Sequence, residues 1–374
     1  MSKKKIKILY TIPNFNTAGS GKALLNVISK LDKEKFEPSI CCRHERGELF
    51  NSAKNLNVPI YISEFSAPMK PRLKGIESVY KLSRFFKKIN PDIIHSYNYS
   101  DDYSEALAAK LARIKWIYTK KNMSWGSNAW KIRSKLADAI IPQNNEMVKV
   151  FFNKNTNYSL IPIGIDLNEF KEIEKSREVS EKYNLNGSNP VILTIANIIP
   201  IKGIDFLIKG FELILDDFES PKLLIVGEDK TEYADKLKLK IKESNLEDKI
   251  IFTGKQNNIR SFFSVADIFI LPSMKTGEGG PISVLEAMAS GIISYGSDVP
   301  GIRDQFRELQ DQLFESENPG SIANKIIHWS NLTDVEISER LKIQKEYIFK
   351  YYSIENEISN LELMYVNLLK EKNI

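Results

Sequence analysis

The sequence contains few of the residues that build disulfide frameworks or metal centres. Its 374 residues include two cysteines and three histidines. The cysteines are adjacent, Cys41 and Cys42, in a strand-like stretch, so we interpret them as reduced, buried thiols. No Asp-x-Asp motif follows an apolar strand, and Asp101-Asp102 precedes a helical pattern, where acidic side chains are typical helix caps. The sequence therefore predicts chemistry that needs no metal ion.

Long apolar segments are also missing. No run approaches the roughly 18 residues that a helix needs to cross a bilayer. The basic first residues lead into a short strand-like run, Ile6–Ile12, with no small-residue cleavage site after it, unlike a secretory leader. We therefore expect a cytoplasmic protein.

The charge is unevenly distributed along the chain. Residues 1–165 contain 28 Lys and Arg against 13 Asp and Glu, whereas residues 166–374 contain 25 against 35. A basic half joined to an acidic half indicates two domains with different partners. The basic half is suited to an anionic surface, such as the inner face of a membrane or a lipid-linked phosphate. A lysine-rich surface without a partner is the alternative, and no nucleic-acid-binding motif accompanies the charge.

Short apolar runs alternate with helical periodicity in residues 1–165, which predicts a parallel sheet covered by helices on both faces. The predicted helices are 21–31, 75–88 and 104–112. The predicted strands are 7–12, 38–42, 59–63, 92–97, 116–119, 139–142 and 159–163.

A second alternating series follows a charged segment, 166–190, that we interpret as a linker. Its predicted strands are 191–196, 223–226, 250–252, 268–271 and 292–295, and its predicted helices are 204–215, 233–243, 259–265 and 282–290. Because the chain exceeds the ~250–300 residues that one core supports, we expect two Rossmann-like α/β domains facing each other across a cleft. The predicted domains are 1–175 and 190–352, followed by an amphipathic C-terminal helix in 353–374 that returns toward the first domain and packs on the body.

The segment from Leu271 to Gly291 is the first candidate site. An apolar strand ends in Pro-Ser, a glycine-rich loop follows, and a helix begins near Pro281, a residue suited to a first helical turn. Free N–H groups at such a helix start favour an anionic or hydroxyl-rich ligand. Glu278 precedes the helix and Glu286 lies within it, where carboxylates can accept hydrogen bonds from sugar or ribose hydroxyls. Two surface glutamates without a function are the alternative interpretation.

Two further segments follow the first strand of each predicted domain. Lys202 and Gly203 open a helix, where a lysine can neutralise a phosphate and a glycine permits close approach; a plain surface lysine is the alternative. Gly19, Ser20 and Gly21 indicate a flexible loop before a helix. Their spacing is not G-x-G-x-x-G, so this loop is a candidate phosphate or acceptor contact rather than a dinucleotide site, with an ordinary turn as the alternative.

Together these segments resemble, over nearly the whole chain, a retaining glycosyltransferase of the GT-B fold, family 4 (group 1) type. The resemblance is strongest in an ordered set of motifs within residues 191–304. The set comprises Ile192-Leu-Thr-Ile-Ala-Asn197 with Lys202-Gly203, Leu224-Ile-Val-Gly-Glu228, Ile251-Phe-Thr-Gly254, Ala266-Asp-Ile-Phe-Ile-Leu-Pro-Ser273, and Glu278 with Glu286-Ala-Met-Ala-Ser-Gly291. The sequence Ile161-Pro-Ile-Gly-Ile-Asp166 also matches, except that Ile163 replaces a common asparagine.

The resemblance implies a role for each candidate residue. Glu286 would bond the ribose of a nucleotide, and Lys202 would hold its diphosphate. Glu278, with the N–H groups of Gly279 and Gly280 beside Pro281, would hold the donor sugar. Gly254 and Lys255 would lie near the base, and Gly19, Ser20 and Gly21 would close over the phosphates. Attack would occur on the front face of the sugar, with the leaving diphosphate accepting the proton of the acceptor.

Three positions depart from the pattern of the family. Asn197 stands where an arginine is usual, so one phosphate cation is missing, and Lys255 or a lysine of the first domain is a candidate replacement. Lys120, Lys121 and Asn122 occupy a loop in which many relatives carry histidine. His95 matches a family histidine at a strand end, for which a catalytic and a structural role are equally open.

The sequence therefore predicts an enzyme that transfers a sugar, with retention, from a nucleoside-diphosphate sugar to a saccharide or lipid-linked acceptor. We expect a UDP- or GDP-linked donor, no separate cofactor, no nucleic-acid partner, and a role in cell-surface polysaccharide or glycolipid synthesis. A non-catalytic nucleotide-sugar-binding subunit is the first alternative, motivated by Asn197. An epimerase or phosphorylase on the same fold is the second, although only His95 is placed for its acid–base chemistry.

Overall fold

The computed structural model describes residues 4–16, 18–152, 156–171, 173–275 and 278–370. The chain divides into two compact units. The first comprises residues 1–165 and 354–374, and the second comprises residues 166–353.

The first unit alternates strands and helices from its start. Its elements up to residue 152 are β1 (Ile6–Ile12), α1 (Ala18–Lys30), β2 (Phe36–Cys42), α2 (Phe50–Lys54), β3 (Ile60–Ile62), α3 (Arg72–Ile89), β4 (Ile93–Ser96), α4 (Ser104–Ala112), β5 (Lys115–Lys120), α5 (Ala129–Leu136), β6 (Ala139–Pro142) and α6 (Asn145–Phe151). The strands form a six-stranded parallel sheet in the order β3-β2-β1-β4-β5-β6.

Both faces of this sheet are buried, as the apolar strands predicted. Successive side chains of a strand point to opposite faces. Ile8 and Tyr10 on β1 therefore belong to one apolar core, and Leu9 between them belongs to another.

The second unit repeats the alternation. Its elements are α7 (Arg177–Lys182), β7 (Val191–Ile195), α8 (Ile204–Glu212), β8 (Lys222–Val226), α9 (Glu232–Glu243), β9 (Ile250–Gly254), α10 (Arg260–Phe263), β10 (Ile268–Leu271), α11 (Ile282–Ala289), β11 (Ile293–Ser297), α12 (Ile302–Gln305), β12 (Leu313–Phe314), α13 (Pro319–Ser330) and α14 (Asp334–Tyr352). Its parallel sheet has the order β12-β11-β10-β7-β8-β9. The predicted α/β architecture with two Rossmann-like sheets is confirmed.

The C-terminal helix α15 (Ile354–Lys370) belongs to the first unit. Its residues Ile354, Ile358, Leu361 and Leu368 lie in the same apolar core as β1 and α1. The predicted packing of this helix on the body is confirmed. It could be predicted because the apolar side chains recur at helical spacing and so share one face.

The sequence prediction was wrong for two strands and for the segment between the two predicted domains. Residues 159–163 form no strand: Tyr158 makes an isolated bridge to Ile140, and Pro162 has no N–H to extend the ladder. The segment 166–190, interpreted as a linker, lies within the second unit and contains a short 3-10 helix, Leu167–Phe170, and α7. The strand β12 was missed, since two residues carry no periodic signal.

None of the helices in the described residues is both long enough and apolar enough to cross a membrane.

Candidate functional site

The second sheet has its change of strand order between β7 and β10. β8 and β9 lie on one side of β7, and β10, β11 and β12 lie on the other. In open parallel sheets, the loops beyond the carboxyl ends of the two strands at this point diverge and leave a crevice in which ligands bind. The loops after β7 and β10 carry Lys202 and Glu278, respectively. The topology therefore brings two separately predicted residues to one place.

The two loops are joined through their backbones. The N–H of Met274 donates to the carbonyl of Ile201 at 2.9 Å. Gly203 has a φ of +64°, and a Cβ there would lie 2.1 Å from the carbonyl oxygen of Pro272. Only glycine permits both this conformation and this approach. Gly203 thus allows the loop after β7 to approach the loop after β10 closely, and the adjacent Lys202 provides a cation.

Lys202 and Glu278 form an ion pair through Nζ and Oε1. The hydroxyl of Ser273 donates to the same Oε1 at 2.6 Å. The Glu278 side chain is 6% exposed and that of Lys202 is 19% exposed, so the pair is largely shielded from water. A buried charge needs an opposite charge and hydrogen bonds, and Glu278 has both at a single oxygen. A carboxylate can accept further bonds, including those from ligand hydroxyls.

A surrounding group of polar side chains fixes this loop. The carbonyl of Ser273 accepts bonds from Ser297 Oγ at 2.6 Å and Ser316 Oγ at 3.1 Å. Gln305 Nε2 donates to the carbonyl of Pro281 at 2.9 Å. None of these three residues was predicted from the sequence, because each lies 24 to 43 positions after the residue that it bonds and matches no local motif.

Gly301 supports the same segment at close range. Its φ is +84°, and a Cβ there would meet the carbonyl group of Gly279 at 2.8 Å. The Pro-Gly pair after β11 was the sequence signal that could have identified this position.

The helix α11 begins next to this loop, in agreement with the predicted start. Pro281 is the extended residue before Ile282, and Glu286 is a buried residue in the second turn. Gly279 is also buried, and Gly280 is half-buried. Thr276 and Gly277, within the same sequence motif, lie outside the described residues.

The loops after β8 and β9 lie beside the loop after β7. A Cβ on Gly227 would lie 1.8 Å from the carbonyl oxygen of Ala196, and the N–H of Gly227 donates to the carbonyl of Gly254 at 3.2 Å. The side chains of Asn197 and Lys255 are exposed at these loops. The structure therefore places the predicted residues Asn197, Gly254 and Lys255 on neighbouring loops at one sheet edge.

In the first unit, the glycines predicted to form a loop are helical. Gly19, Ser20 and Gly21 belong to the first turn of α1, which begins at Ala18. The loop prediction was wrong because glycine at a helix start is tolerated when tertiary packing supports it. A Cβ on Gly21 would lie 2.9 Å from Leu49 Cδ1, whereas Gly19 has no atom within 4 Å of such a Cβ. Gly19 thus leaves open space at the start of α1.

His95 is fully buried on β4. Its Nδ1 bonds the hydroxyl of Tyr365 at 2.7 Å, and its Nε2 bonds that of Thr119 at 2.8 Å. Burial, with a smaller effect from Lys121, lowers the pKa of His95 to about 3. A neutral imidazole with both nitrogens bonded is suited to joining α15 to the sheet, so the geometry favours a structural role over direct contact with a substrate.

Two lysines stand at the end of β5, where the family commonly has histidine. Lys120 Nζ donates to the Asn122 side chain at 2.7 Å and lies 4.0 Å from the centre of the Trp125 ring. Lys121 Nζ lies 4.0 Å from the centre of the Tyr97 ring. Burial lowers the pKa of both lysines to about 7.

The acidic residue whose charge acts on Lys121 is Glu357, on the C-terminal helix α15. Glu357 accepts the N–H of Gly164 at 2.7 Å, and burial raises the pKa of Glu357 to about 8 despite this bond and the charge of Lys121.

A buried polar group also lies at the strand-order change of the first sheet, between β1 and β4. Glu105 accepts from Thr11 Oγ1 at 2.5 Å and from Ser96 Oγ at 2.7 Å. Arg133 donates to Ser96 Oγ at 3.2 Å and to the carbonyl of Asp102 at 2.7 Å. Neither charged residue was predicted from the sequence, because no motif connects positions this far apart.

Within the described part of the chain, no group of three or more His, Cys, Asp or Glu residues is arranged to hold a metal ion.

The fold and the site define a two-domain α/β protein with an ion pair at the change of strand order in its second sheet. Residues 17–169 match the family model for Glycosyltransferase Family 4, and residues 175–347 match the model for Glycosyl transferases group 1. The chain belongs to this group of GT-B glycosyltransferases.

Two characterised relatives illustrate the similarity in sequence. UDP-Gal:α-D-GlcNAc-diphosphoundecaprenol α-1,3-galactosyltransferase from Escherichia coli is 22% identical, with 98% of each chain covered. N-acetyl-α-D-glucosaminyl L-malate synthase from Bacillus anthracis is 26% identical over 63% of this chain and 59% of its own length.

Two solved structures share the fold. A glycosyltransferase from Rickettsia africae has a TM-score of 0.84 at 18% identity, with 98% of this chain and all of the other covered. A protein from Anabaena, solved in complex with UDP and glucose, has a TM-score of 0.80 at 14% identity, with 96% of this chain and 99% of the other covered. At these identities the similarity establishes the architecture.

Proposed function

We propose that this glycosyltransferase takes a sugar from a nucleoside-diphosphate sugar bound at the second unit and transfers it with retention. The observation that carries the proposal is the Lys202–Glu278 ion pair at the strand-order change of the second sheet. A lysine beside a carboxylate matches the two chemical parts of such a donor. The diphosphate requires a cation, and the sugar presents hydroxyls that a carboxylate can bond.

The chemistry follows from these two groups. Lys202 stabilises the negative charge that develops on the diphosphate as the bond to the sugar breaks. Glu278 is held by Ser273 and Lys202 and so positions the sugar instead of attacking it. The leaving diphosphate accepts the proton of the acceptor hydroxyl, and the new bond forms on the face that the diphosphate leaves. Because Lys202 supplies the positive charge, we propose that no metal ion is needed.

The remaining predicted contacts complete the donor site in this proposal. Glu286 bonds the ribose, and the N–H groups of Gly279 and Gly280 support the sugar. Asn197, Gly254 and Lys255 line the nucleotide. Gly19, at the start of α1 in the first unit, is exposed, and a Cβ there would meet no atom within 4 Å.

The acceptor is a saccharide or a lipid-linked saccharide, bound by the first unit. The excess of basic residues in positions 1–165 supports an acceptor that carries phosphate. The name of the Escherichia coli relative specifies a diphosphoundecaprenol-linked acceptor. We accordingly propose a role in polysaccharide or glycolipid synthesis at the cytoplasmic face of a membrane.

A thermal-shift screen of UDP-, GDP-, ADP- and CMP-sugars tests the donor. A ligand at 100 times its dissociation constant adds about 2.7 kcal/mol to the free energy of unfolding, which such a screen detects. The stabilising donor is then incubated with lipid-linked and free saccharides in the presence of EDTA, and the anomeric configuration of the product is read by NMR. An inverted product, or transfer that requires a metal ion, would contradict the corresponding part of the proposal.

A non-catalytic nucleotide-sugar-binding subunit is the second candidate. It is favoured by the exposed Asn197 after β7, where the family usually supplies a second phosphate cation. Stabilisation by a nucleotide sugar with neither transfer nor hydrolysis in the same screen would favour it.

A further inference from the structure

The helix α3 presents an apolar stripe to solvent. Its opposite face, with Val79, Leu82 and Phe86, packs in the core of the first unit. On the outer face, Leu73 is 84% exposed, Ile76 is 64% exposed and Tyr80 is 57% exposed. With 3.6 residues per turn, these three positions lie on one side of the helix, over ~10 Å of its length.

Basic residues extend and flank this stripe. Arg84 and Lys87 continue it by one and two further turns, and both are exposed. The exposed basic residues of α3 are Arg72, Lys74, Lys81, Arg84, Lys87 and Lys88. The helix contains one acidic residue, Glu77, which is paired with Lys81 at 2.5 Å. The first half of α3 therefore exposes an apolar stripe on its outer face, and exposed basic side chains flank and extend this stripe along the helix.

We propose that the outer face of α3, formed by Leu73, Ile76, Tyr80, Arg84 and Lys87, docks on the anionic surface of a lipid bilayer. Helices that lie in the membrane interface insert apolar side chains below the headgroups and place basic side chains beside the phosphates. α3 has both parts on one face.

The charge and shape of the face favour a bilayer over an acidic protein. The apolar stripe is narrow and convex because it lies on a single exposed helix, so it does not form a groove that could enclose a partner segment. Leucine, isoleucine and tyrosine are suited to the boundary between headgroups and acyl chains. Lysine and arginine side chains can extend from the helix to phosphates at several depths.

The proposed docking accounts for part of the excess of basic residues in the first half of the sequence. The inference deepens the proposed function. It rests on that function only for the purpose of the docking, which is to hold the enzyme beside a lipid-linked acceptor. Binding to vesicles requires neither donor nor acceptor, so the inference and the proposed transfer can fail separately.

Co-sedimentation of the full-length protein with vesicles tests the inference. One set contains phosphatidylcholine with a third of phosphatidylglycerol, and the other contains phosphatidylcholine alone. We expect binding to the anionic vesicles that weakens as salt is raised, because each basic residue near an anionic surface strengthens binding about fivefold.

Two triple variants separate the parts of the face. Leu73→Ser/Ile76→Ser/Tyr80→Ser removes the apolar stripe, and Arg84→Glu/Lys87→Glu/Lys88→Glu reverses the charge. Each should weaken binding to anionic vesicles at least tenfold. The positions are exposed, so both variants should keep the thermal midpoint of the parent protein within a few degrees.

Matched controls come from the second unit. Leu213→Ser/Leu239→Ser/Val335→Ser changes three exposed apolar residues, and Lys236→Glu/Lys240→Glu/Lys242→Glu reverses three exposed lysines of α9. Both should bind vesicles within twofold of the parent. Equal losses in control and α3 variants, binding that ignores the anionic lipid, or no binding at all would overturn the inference. Vesicle binding by a protein without transferase activity would leave it intact and overturn the proposed function instead.

Discussion

Lys202 and Ser273 bond the same carboxylate oxygen, Oε1 of Glu278, although Lys202 is 76 residues distant from Glu278 in the chain. The loop after β7 and the loop after β10 are thereby joined at the change of strand order. A carboxylate held at one oxygen in a shielded position has a fixed orientation before any ligand arrives. Preorganisation of this kind is what a group that positions a sugar requires.

Replacing Glu278 by Gln should lower kcat about 100- to 1000-fold, the range observed when one positioned polar group is removed from an active site. The amide keeps the size of the side chain but loses its charge and one acceptor. Initial rates of transfer with the stabilising donor provide the measurement. Glu232→Gln in α9, where the carboxylate is 85% exposed, is the control and should retain full activity. Normal turnover by Glu278→Gln would remove Glu278 from the proposed site.

Much of the fold could be predicted because buried parallel strands are almost uniformly apolar. Residues 268–271 form β10 as predicted for this reason. The helix α14 was missed because Gln344 stands at a core position. Its side chain accepts the N–H of Ser294 and donates to the carbonyl of Ile292, so a polar residue replaces an apolar one in the pattern.

The candidate site was predictable only in part. Lys202 and Glu278 each stand near glycines after apolar strands, which is a local signal. Their contact with each other is set by the order β10-β7 in the sheet, which no local pattern encodes. The resemblance to a family placed both residues in one donor site but did not predict their contact. The pair of Glu105 and Arg133 had no such motif and was therefore missed.

Gly203→Ala should destabilise the protein by about 1–3 kcal/mol more than Gly187→Ala, the usual cost of forcing an extra carbon into a packed site. Both glycines have positive φ, +64° and +80°, so both variants carry the left-handed penalty of roughly 1–2 kcal/mol. Only at Gly203 would the new Cβ meet a neighbour, the carbonyl oxygen of Pro272 at 2.1 Å; at Gly187 there is nothing within 4 Å. Urea denaturation of the two variants gives the comparison. Equal free energies of unfolding would show that the loops need not approach so closely.

Arg133→Met should destabilise the first unit by about 3 kcal/mol. Arg133 is fully buried, and its replacement removes a positive charge that acts on Glu105 and the hydrogen bonds that it donates to the carbonyls of Asn98 and Asp102. The control is Lys236→Met, whose exposed pair with Glu232 should make little difference to the free energy of unfolding. Urea denaturation again provides the measurement, and similar losses in both variants would contradict the structural importance of Arg133.

His95 should make stability fall as the pH falls from about 6.5 to about 3. Burial lowers the pKa of His95 to about 3 in the folded protein, whereas an unfolded histidine titrates near 6.5. Within this window the unfolded chain therefore binds one more proton than the folded chain. The free energy of unfolding then rises with pH by up to about 1.4 kcal/mol per pH unit, and this contribution is complete above the unfolded pKa.

The variant His95→Gln isolates that contribution, because all other titrating groups are shared with the parent protein. The amide can still bond the hydroxyls of Tyr365 and Thr119, which His95 contacts. Free energies of unfolding measured at pH 4.5, 5.5, 6.5 and 7.5 should rise less steeply in the variant below pH 6.5, and the two curves should run parallel above it. Parallel curves over the whole range would show that His95 gains its proton in the folded protein as easily as in the unfolded chain, and would thus contradict its enclosure between β4, β5 and α15.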